Sequence, residues 1–158
     1  MKPILTIITL ALWILSCTTQ EICDDSSESL LVARFKFREG ELISDTIVTG
    51  LTLYGIREGK PDSLLHDSEP TSRIAVPLDP HHNFSRFVMS IDELRDTLYI
   101  GHSTGYYLMS YNCGYAAIFT LDPDSILHGN TLFHEVEIQD AVIDAQQEKD
   151  EEHLWIYF

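Results

Sequence analysis

One stretch of the sequence, residues 98–121, constrains the fold more than any other part. Two runs rich in Tyr, Ile and Leu flank residues 103–105, and a third apolar run begins after residues 112–114. Such runs, bounded by Gly, Ser and Asn, predict strands separated by turns. Side chains alternate between the two faces of a strand, so several large residues share the face of Cys113: Tyr107, Met109 and Tyr111. We therefore expect Cys113 to point into the core of a sheet.

The rest of the chain divides into further short strands and turns. Residues 31–38 alternate apolar and charged side chains, which is typical of a strand with one buried and one wet face. Similar patterns predict the remaining elements: strands at 46–56, 73–78, 84–91, 132–143 and 153–158, a polar loop at 58–71, a break at 122–125 and a helical turn at 125–129. We predict an all-β fold of about nine short strands, a single antiparallel β-sandwich, immunoglobulin-like or jelly-roll-like, over residues 30–158.

The N-terminus of the sequence predicts export and a lipid anchor. A short positive start precedes an apolar run at 4–15, which is shorter than the roughly 20 residues of a bilayer span but typical of a secretory signal. The run ends in a serine followed by Cys17, which resembles the bacterial lipobox, where the Cys is diacylated and becomes the first residue. Two acyl chains anchor a protein stably to a membrane. We expect residues 1–16 to be a signal peptide and residues 17–29 a lipidated polar tether; an ordinary cleaved signal is the alternative.

The cysteine count fits this interpretation. An exported chain with three cysteines leaves one odd thiol, and lipid on Cys17 would account for it. The other two, Cys23 and Cys113, are then expected to form a disulfide in an oxidising compartment, with two separate thiols as the alternative. This bridge would close a loop of about 90 residues, and the chain-entropy model gives it roughly 4 to 5 kcal/mol of stabilisation.

The charge of the chain disfavours two classes of partner. Of the 10 basic residues Lys2 leaves with the signal, so 9 remain against 25 acidic residues. Nucleic acids and anionic lipid headgroups are poor partners for such a balance. We expect no nucleic-acid partner, and contact with the membrane only through the N-terminal lipid.

Searching the sequence for chemistry gives no catalytic, cofactor-binding or metal-binding residues. The seven His include no i, i+4 pair with a Glu, and no CxxC motif is present. Ser103 adjoins His102, but neighbouring strand residues point to opposite faces. Two function classes stay open. One is a non-catalytic module that binds a protein or glycan through an aromatic patch of Tyr99, Tyr106 and Trp155. The other is a hydrolase whose residues converge only in three dimensions.

Five features together resemble one family. They are Cys17, the Cys six residues later, SRIAVPLD at 72–79, NCGY at 112–115 and LWIYF at 154–158. Together they are similar to a family of small Bacteroidota lipoproteins of unknown function. The resemblance implies an envelope lipoprotein on the outer membrane with a β-sandwich domain and no assigned activity. Its lipid would lie on Cys17, and its bridge would join Cys23 to Cys113. Periplasmic and surface exposure are both open.

The resemblance also implies a modification. The same bacterial group O-glycosylates triplets of Asp, Ser or Thr, and an apolar residue. Four segments have this pattern: Asp45-Thr46-Ile47, Asp62-Ser63-Leu64, Asp96-Thr97-Leu98 and Asp124-Ser125-Ile126. We predict modification first at Ser63 and Ser125, because the sequence places both in loops.

Overall fold

The computed structural model describes residues 28–146 and 151–158, and this part of the chain is all-β. It contains no helix, and so no helical segment of it is long and apolar enough to span a membrane. The described residues form eleven strands: β1 (Leu30–Glu39), β2 (Leu42–Asp45), β3 (Leu51–Ile56), β4 (Ser63–Asp67), β5 (Arg73–Pro77), β6 (Phe84–Ile91), β7 (Leu94–Ser110), β8 (Gly114–His128), β9 (Glu135–Ile138), β10 (Val142–Ile143) and β11 (Leu154–Tyr157). The predicted all-β class is confirmed.

The strands form two sheets that share one hydrophobic core. The first sheet has the order β2-β1-β11-β9, with β5 paired to the N-terminal half of β1. The second sheet has the order β10-β8-β7-β6-β3-β4. A single cluster of buried side chains joins the two, including Leu31, Phe35 and Ile156 from the first sheet and Leu53, Met89 and Ile100 from the second. Burial of apolar surface, worth about 25 cal/mol per Å², therefore holds the sheets together.

The last strand, β11, runs parallel to the first strand, β1. Ala33 pairs with Leu154 in this ladder, and Lys36 pairs with Tyr157. The prediction that all strands are antiparallel is wrong at this pair. Parallel neighbours need a crossover connection, and here all strands from β2 to β10, including the whole second sheet, lie between β1 and β11 in the chain. Alternating apolar residues predict a strand, but they do not predict the direction of its partner.

A buried histidine, His153, fastens the start of this parallel pair. Its backbone N–H donates to the carbonyl of Val32 at 2.9 Å, and the Val32 N–H donates to its Nδ1 at 2.9 Å. The N–H of Gln139 donates to its carbonyl at 2.8 Å. Burial lowers the pKa of the ring, although the charge of Asp140 acts in the opposite direction. His153 therefore joins β1, β11 and the segment after β9 as a neutral ring.

The outer face of the first sheet carries paired charges. Lys36 Nζ lies 2.6 Å from Asp45 Oδ1 and 4.3 Å from the centre of the Trp155 ring. The Arg38 guanidinium lies 4.1 Å from the centre of the Tyr157 ring. The hydrogen bond from Lys36 is the largest influence on Asp45, and the pKa of this carboxyl falls below its ordinary value. On this face, which we call the charge ladder, the cations Lys36 and Arg38 are covered by an acid, Asp45, and by the rings of Trp155 and Tyr157.

Two predicted elements have the wrong boundaries. The predicted strand 46–56 is divided, because β2 ends at Asp45 and β3 begins only at Leu51. Gly50 lies in the turn between them at φ 72, where a residue with a Cβ would be strained, and it marks no bulge. The predicted loop 58–71 contains β4, which pairs with β3 at the edge of the second sheet.

Residues 98–121 lie within one long hairpin, in which β7 pairs with β8. Residues 103–105 lie inside β7, and no helical turn forms after Ser125, because β8 continues to His128. The predicted break at 122–125 is a bulge, since the β7–β8 register jumps from His102↔Leu121 to Ile100↔Ile126. Ladder hydrogen bonds to a neighbouring strand override local turn signals here. The predicted strand 132–143 divides into β9 and β10, which belong to different sheets.

We predict that His153 makes the fold sensitive to mild acid. The pKa of the buried ring lies below the ordinary value of 6.5, so the unfolded state binds more protons than the native state near that pH. Its contribution to stability is therefore complete above the unfolded pKa and is lost as the pH falls through the folded pKa. The free energy of unfolding, measured in urea, should fall between about pH 7.5 and pH 5.5.

The substitution His153→Asn should reduce this slope, because Asn Oδ1 can accept the Val32 N–H without titrating. The control is His134→Asn, at an exposed histidine, which should leave the slope unchanged. An identical slope in wild type and His153→Asn would contradict the assignment.

Candidate ligand-binding site

A cavity of about 260 Å³ opens at the junction of the two sheets. Pro77, at the end of β5, belongs to the first sheet, whereas the ends of β3, β4 and β6 belong to the second. Residues 55–58 and the turn between β5 and β6 complete the wall. Strand ends and turns from two sheets therefore define this cavity, and no single element does so.

A buried polar network supports one wall of the cavity. Ser85 is 5% exposed, and its Oγ accepts the backbone N–H of Asp79 at 2.8 Å. The same Oγ lies 3.0 Å from Nε2 of His102, which is 3% exposed and packs edge-on against Phe119. One hydrogen bond therefore joins Ser85 Oγ to His102 Nε2 in either tautomer of the ring. The network thus ties the turn after β5 to the middle of β7.

The turn between β5 and β6 is fixed by the carboxylate of Asp79. Its Oδ1 accepts the N–H of His81 at 3.0 Å, and its Oδ2 lies 3.1 Å from Nδ1 of His82. Burial alone would raise the pKa of Asp79, but the hydrogen bonds from His81 and His82, with the charges of His82 and Arg57, outweigh burial and lower it. Asp79 is therefore a negative group whose oxygens are already bound within the turn.

His102 is neutral in this setting. Burial lowers the pKa of its ring, and the charge of Asp79 opposes this effect only in part. Within residues 28–146 and 151–158 its Nδ1 has no hydrogen-bond partner. In a Ser-His-acid triad that nitrogen donates to a carboxylate, which orients the base. The Ser85–His102 pair lacks this third group in the described chain, and its serine oxygen is shielded, so the pair supports the cavity wall.

The sequence contains a signal for Ser85 that is not part of any catalytic motif. Ser85 shares strand parity with Phe87 and Met89, so it is a polar residue on the inward face of β6. It pairs with Ile100 across the β6–β7 ladder, which places His102 diagonally beside it. A polar side chain at an inward position needs a partner, and the partner lies on another strand.

The three aromatic residues predicted as a binding patch are divided between the sheets. Tyr99 and Tyr106 lie exposed on β7 in the second sheet, and the Tyr106 hydroxyl donates to the carbonyl of Pro80 at 3.4 Å. Trp155 lies half-buried on β11 in the first sheet. There its Nε1 donates to Glu152 at 2.7 Å, and Lys36 covers its ring. Trp155 therefore belongs to the charge ladder, and Tyr106 borders the turn of the cavity.

The predicted modification sites are not in loops. Ser63 is the exposed first residue of β4, and Ser125 lies half-buried in β8. The hydroxyl of Ser125 donates to Asp122 Oδ2 at 2.5 Å, within the bulge that the β7–β8 register creates. O-glycosylation at both positions stays a prediction, although Ser63 presents the more accessible hydroxyl.

Two of the cysteines lie outside the described residues. These are Cys17 and Cys23, so lipidation and the disulfide stay predictions. Cys113 lies half-buried in the turn that joins β7 to β8. Its predicted place in the core is wrong, because β7 extends beyond the core and Tyr111 beside it is 98% exposed. Through the part of the chain that the structure covers, no group of three or more His, Cys, Asp or Glu could hold a metal ion.

Comparison with known proteins gives one match. A family model described as a family of unknown function (DUF6452) matches residues 50–158. Nothing matches among the curated proteins or the solved structures. The matched segment begins just before β3 and contains every residue that lines the cavity.

A structural role and a catalytic role for Ser85 predict different results. Ser85→Ala removes the acceptor of the Asp79 N–H and the partner of His102, so two buried polar groups lose their hydrogen bonds. The free energy of unfolding in urea should fall by about 1–3 kcal/mol. Ser44→Ala, on the exposed strand β2, is the matched control and should change it little.

The same pair of variants tests for catalysis. A fluorophosphonate, which labels activated serines, should leave the wild-type protein unlabelled. Covalent labelling that disappears in Ser85→Ala and persists in Ser44→Ala would contradict the structural role and would favour a hydrolase.

Proposed function

The chain belongs to the DUF6452 family, and we propose that it acts as a membrane-anchored envelope lipoprotein whose β domain is a non-catalytic binding module. The cavity at the junction of the sheets is its ligand site. One observation carries this proposal: the network of Asp79, Ser85 and His102 fixes a wall of the cavity through bonds within the protein. A wall fixed in this way does not have to be ordered when a ligand binds, which lowers the entropic cost of binding.

The composition of the cavity supports binding. Ligand sites are concave and largely apolar, with a few polar groups that orient the ligand. Here Leu65, Phe84 and Phe87 supply apolar surface, while Arg57 and Arg86 supply hydrogen-bond donors. A volume of about 260 Å³ suits one compact chemical group.

The proposed disulfide between Cys23 and Cys113 is compatible with the reach of the chain. Ser29 donates a hydrogen bond to the carbonyl of Ala117, on β8. Six residues separate Cys23 from Ser29 and extend at most about 20 Å, whereas the four from Ala117 to Cys113 cover roughly 13 Å. The tether between lipid and domain is therefore long enough to place the two sulfurs together.

We also propose that the two sheets pack as a β-sandwich. Support comes from the single core cluster, to which both sheets contribute the inward residues of their strands. The charge ladder on the outer face of the first sheet fits this arrangement, since a sandwich exposes one face of each sheet.

Replacing the proposed lipid-bearing residue tests the anchor. Cys17→Ser removes the thiol that would receive the diacylglycerol, so the variant should move from the detergent phase to the aqueous phase when envelope extracts are partitioned. The intact mass of the wild-type protein should exceed that of the processed polypeptide by the mass of the lipid.

The control is Cys113→Ser, which also removes one thiol and should still partition with the wild type into detergent. Aqueous partition of the wild-type protein, with an unmodified Cys17 in its mass spectrum, would contradict the anchor.

A further inference from the structure

We propose that the cavity binds a small organic carboxylate that carries an apolar body, an inference that rests on the proposed binding function. A pair of arginines, Arg57 and Arg86, supports a carboxylate ligand. Arg86 lies on β6 directly opposite Ile56, the last residue of β3, and Arg57 follows in the next position. Both arginines line the cavity, and neither forms an ion pair with an acid in the described chain.

These two arginines differ from the cations on the first sheet. Arg34, Lys36 and Arg38 on β1 all form ion pairs with acidic side chains on the neighbouring segments. Arg57 and Arg86 have only Glu58 and Asp79 as acidic neighbours in the cavity wall. Asp79 is already bound by His81 and His82, so both guanidinium groups keep their donors for a ligand.

The charges of the wall favour a ligand with one negative charge. Two arginines face two carboxylates, those of Glu58 and Asp79, and the His82 ring is bound to the second of these. A dianion such as a phosphate monoester is disfavoured, because the two acids of the wall cancel the positive charge that would have to balance it. A carboxylate carries a single charge, and its two oxygens match the fork of a guanidinium.

The apolar part of the wall indicates the rest of the ligand. Phe84 is 48% exposed beside the arginines, and Leu65, Pro77 and Phe87 also line the cavity. Covering this apolar surface with a ligand is favourable because it removes the surface from water. The volume, about 260 Å³, lies just below the roughly 300–1,000 Å³ of sites for drug-sized ligands. A single ring with a short carboxylate arm is therefore a suitable size.

Three probes of nearly equal shape test this chemistry. They are phenylacetate, its neutral isostere phenylacetamide and the cation phenethylamine. Each is titrated into the isotope-labelled full-length protein in a non-ionic detergent, and amide shifts are followed by NMR. Phenylacetate should shift residues 55–58 and 82–87 and bind at least about tenfold more tightly than phenylacetamide, because hydrogen bonds between two charged partners are stronger than those of a neutral amide. Phenethylamine should not bind.

Variants assign the effect to the arginines. Arg57→Gln and Arg86→Gln should each weaken phenylacetate binding by about tenfold or more. Lys60→Gln is the matched control, because it removes one positive charge from the same turn but does not line the cavity, and it should bind as the wild type does. Arg57 is exposed, so its variant keeps the test valid if Arg86→Gln fails to fold.

The outcomes separate the two proposals. Equal binding of the acid and the amide at these residues would overturn the carboxylate preference and leave the cavity as a ligand site. If Lys60→Gln weakened binding as much as Arg57→Gln, a diffuse charge effect would replace the arginine site. Absence of any shift in the cavity with all three probes would overturn both this inference and the proposed binding function.

Discussion

The parallel pairing of β11 with β1 is the contact on which the first sheet depends. β1 has partners along both edges, since β2 and β5 share one edge and β11 takes the other, and β11 in turn pairs with β9 on its far edge. The pair buries Phe35 and Ile156 against the common core, and His153 fixes its start through bonds to Val32. Without β11, β9 would lose its partner, and β1 would expose an edge beneath the charge ladder. The position of β5, and with it the turn that carries Asp79, follows from β1.

Much of the fold could be predicted from the alternation of apolar and polar residues, because the inward side chains of a strand enter the core whichever strand is its neighbour. β1, β5, β6 and β11 were found in this way. Their direction and partners could not be found, since these depend on contacts between residues far apart in sequence. β4 was missed because its exposed edge has few buried residues and its sequence is that of a loop. The turn predicted at 103–105 fails because the ladder between β7 and β8 holds these residues extended in spite of their local turn signals.

No sequence motif indicates the candidate site, because its residues lie at strand ends that only the pairing of the strands brings together. His102 adjoins Ser103 in the sequence, whereas its hydrogen-bond partner is Ser85 on the adjacent strand. Strand geometry separates His102 from Ser103, because neighbouring residues point to opposite faces, but it does not indicate the partner on β6. The arginines of the cavity have no sequence signature at all. Only the β3–β6 register, which sets Ile56 opposite Arg86, shows that Arg57 and Arg86 lie at one opening.

Native-state hydrogen exchange tests the role of the parallel pair most directly. The His153 N–H donates to the Val32 carbonyl, and the amides of β11 lie in the ladder to β1. These amides should therefore exchange only when the whole domain unfolds. The account predicts that their opening free energy equals that of the buried amides of β6 and β7 and equals the free energy of global unfolding. Exchange of β11 at a much lower opening free energy, with β6 and β7 still protected, would show that the domain is stable without this contact and would contradict the account.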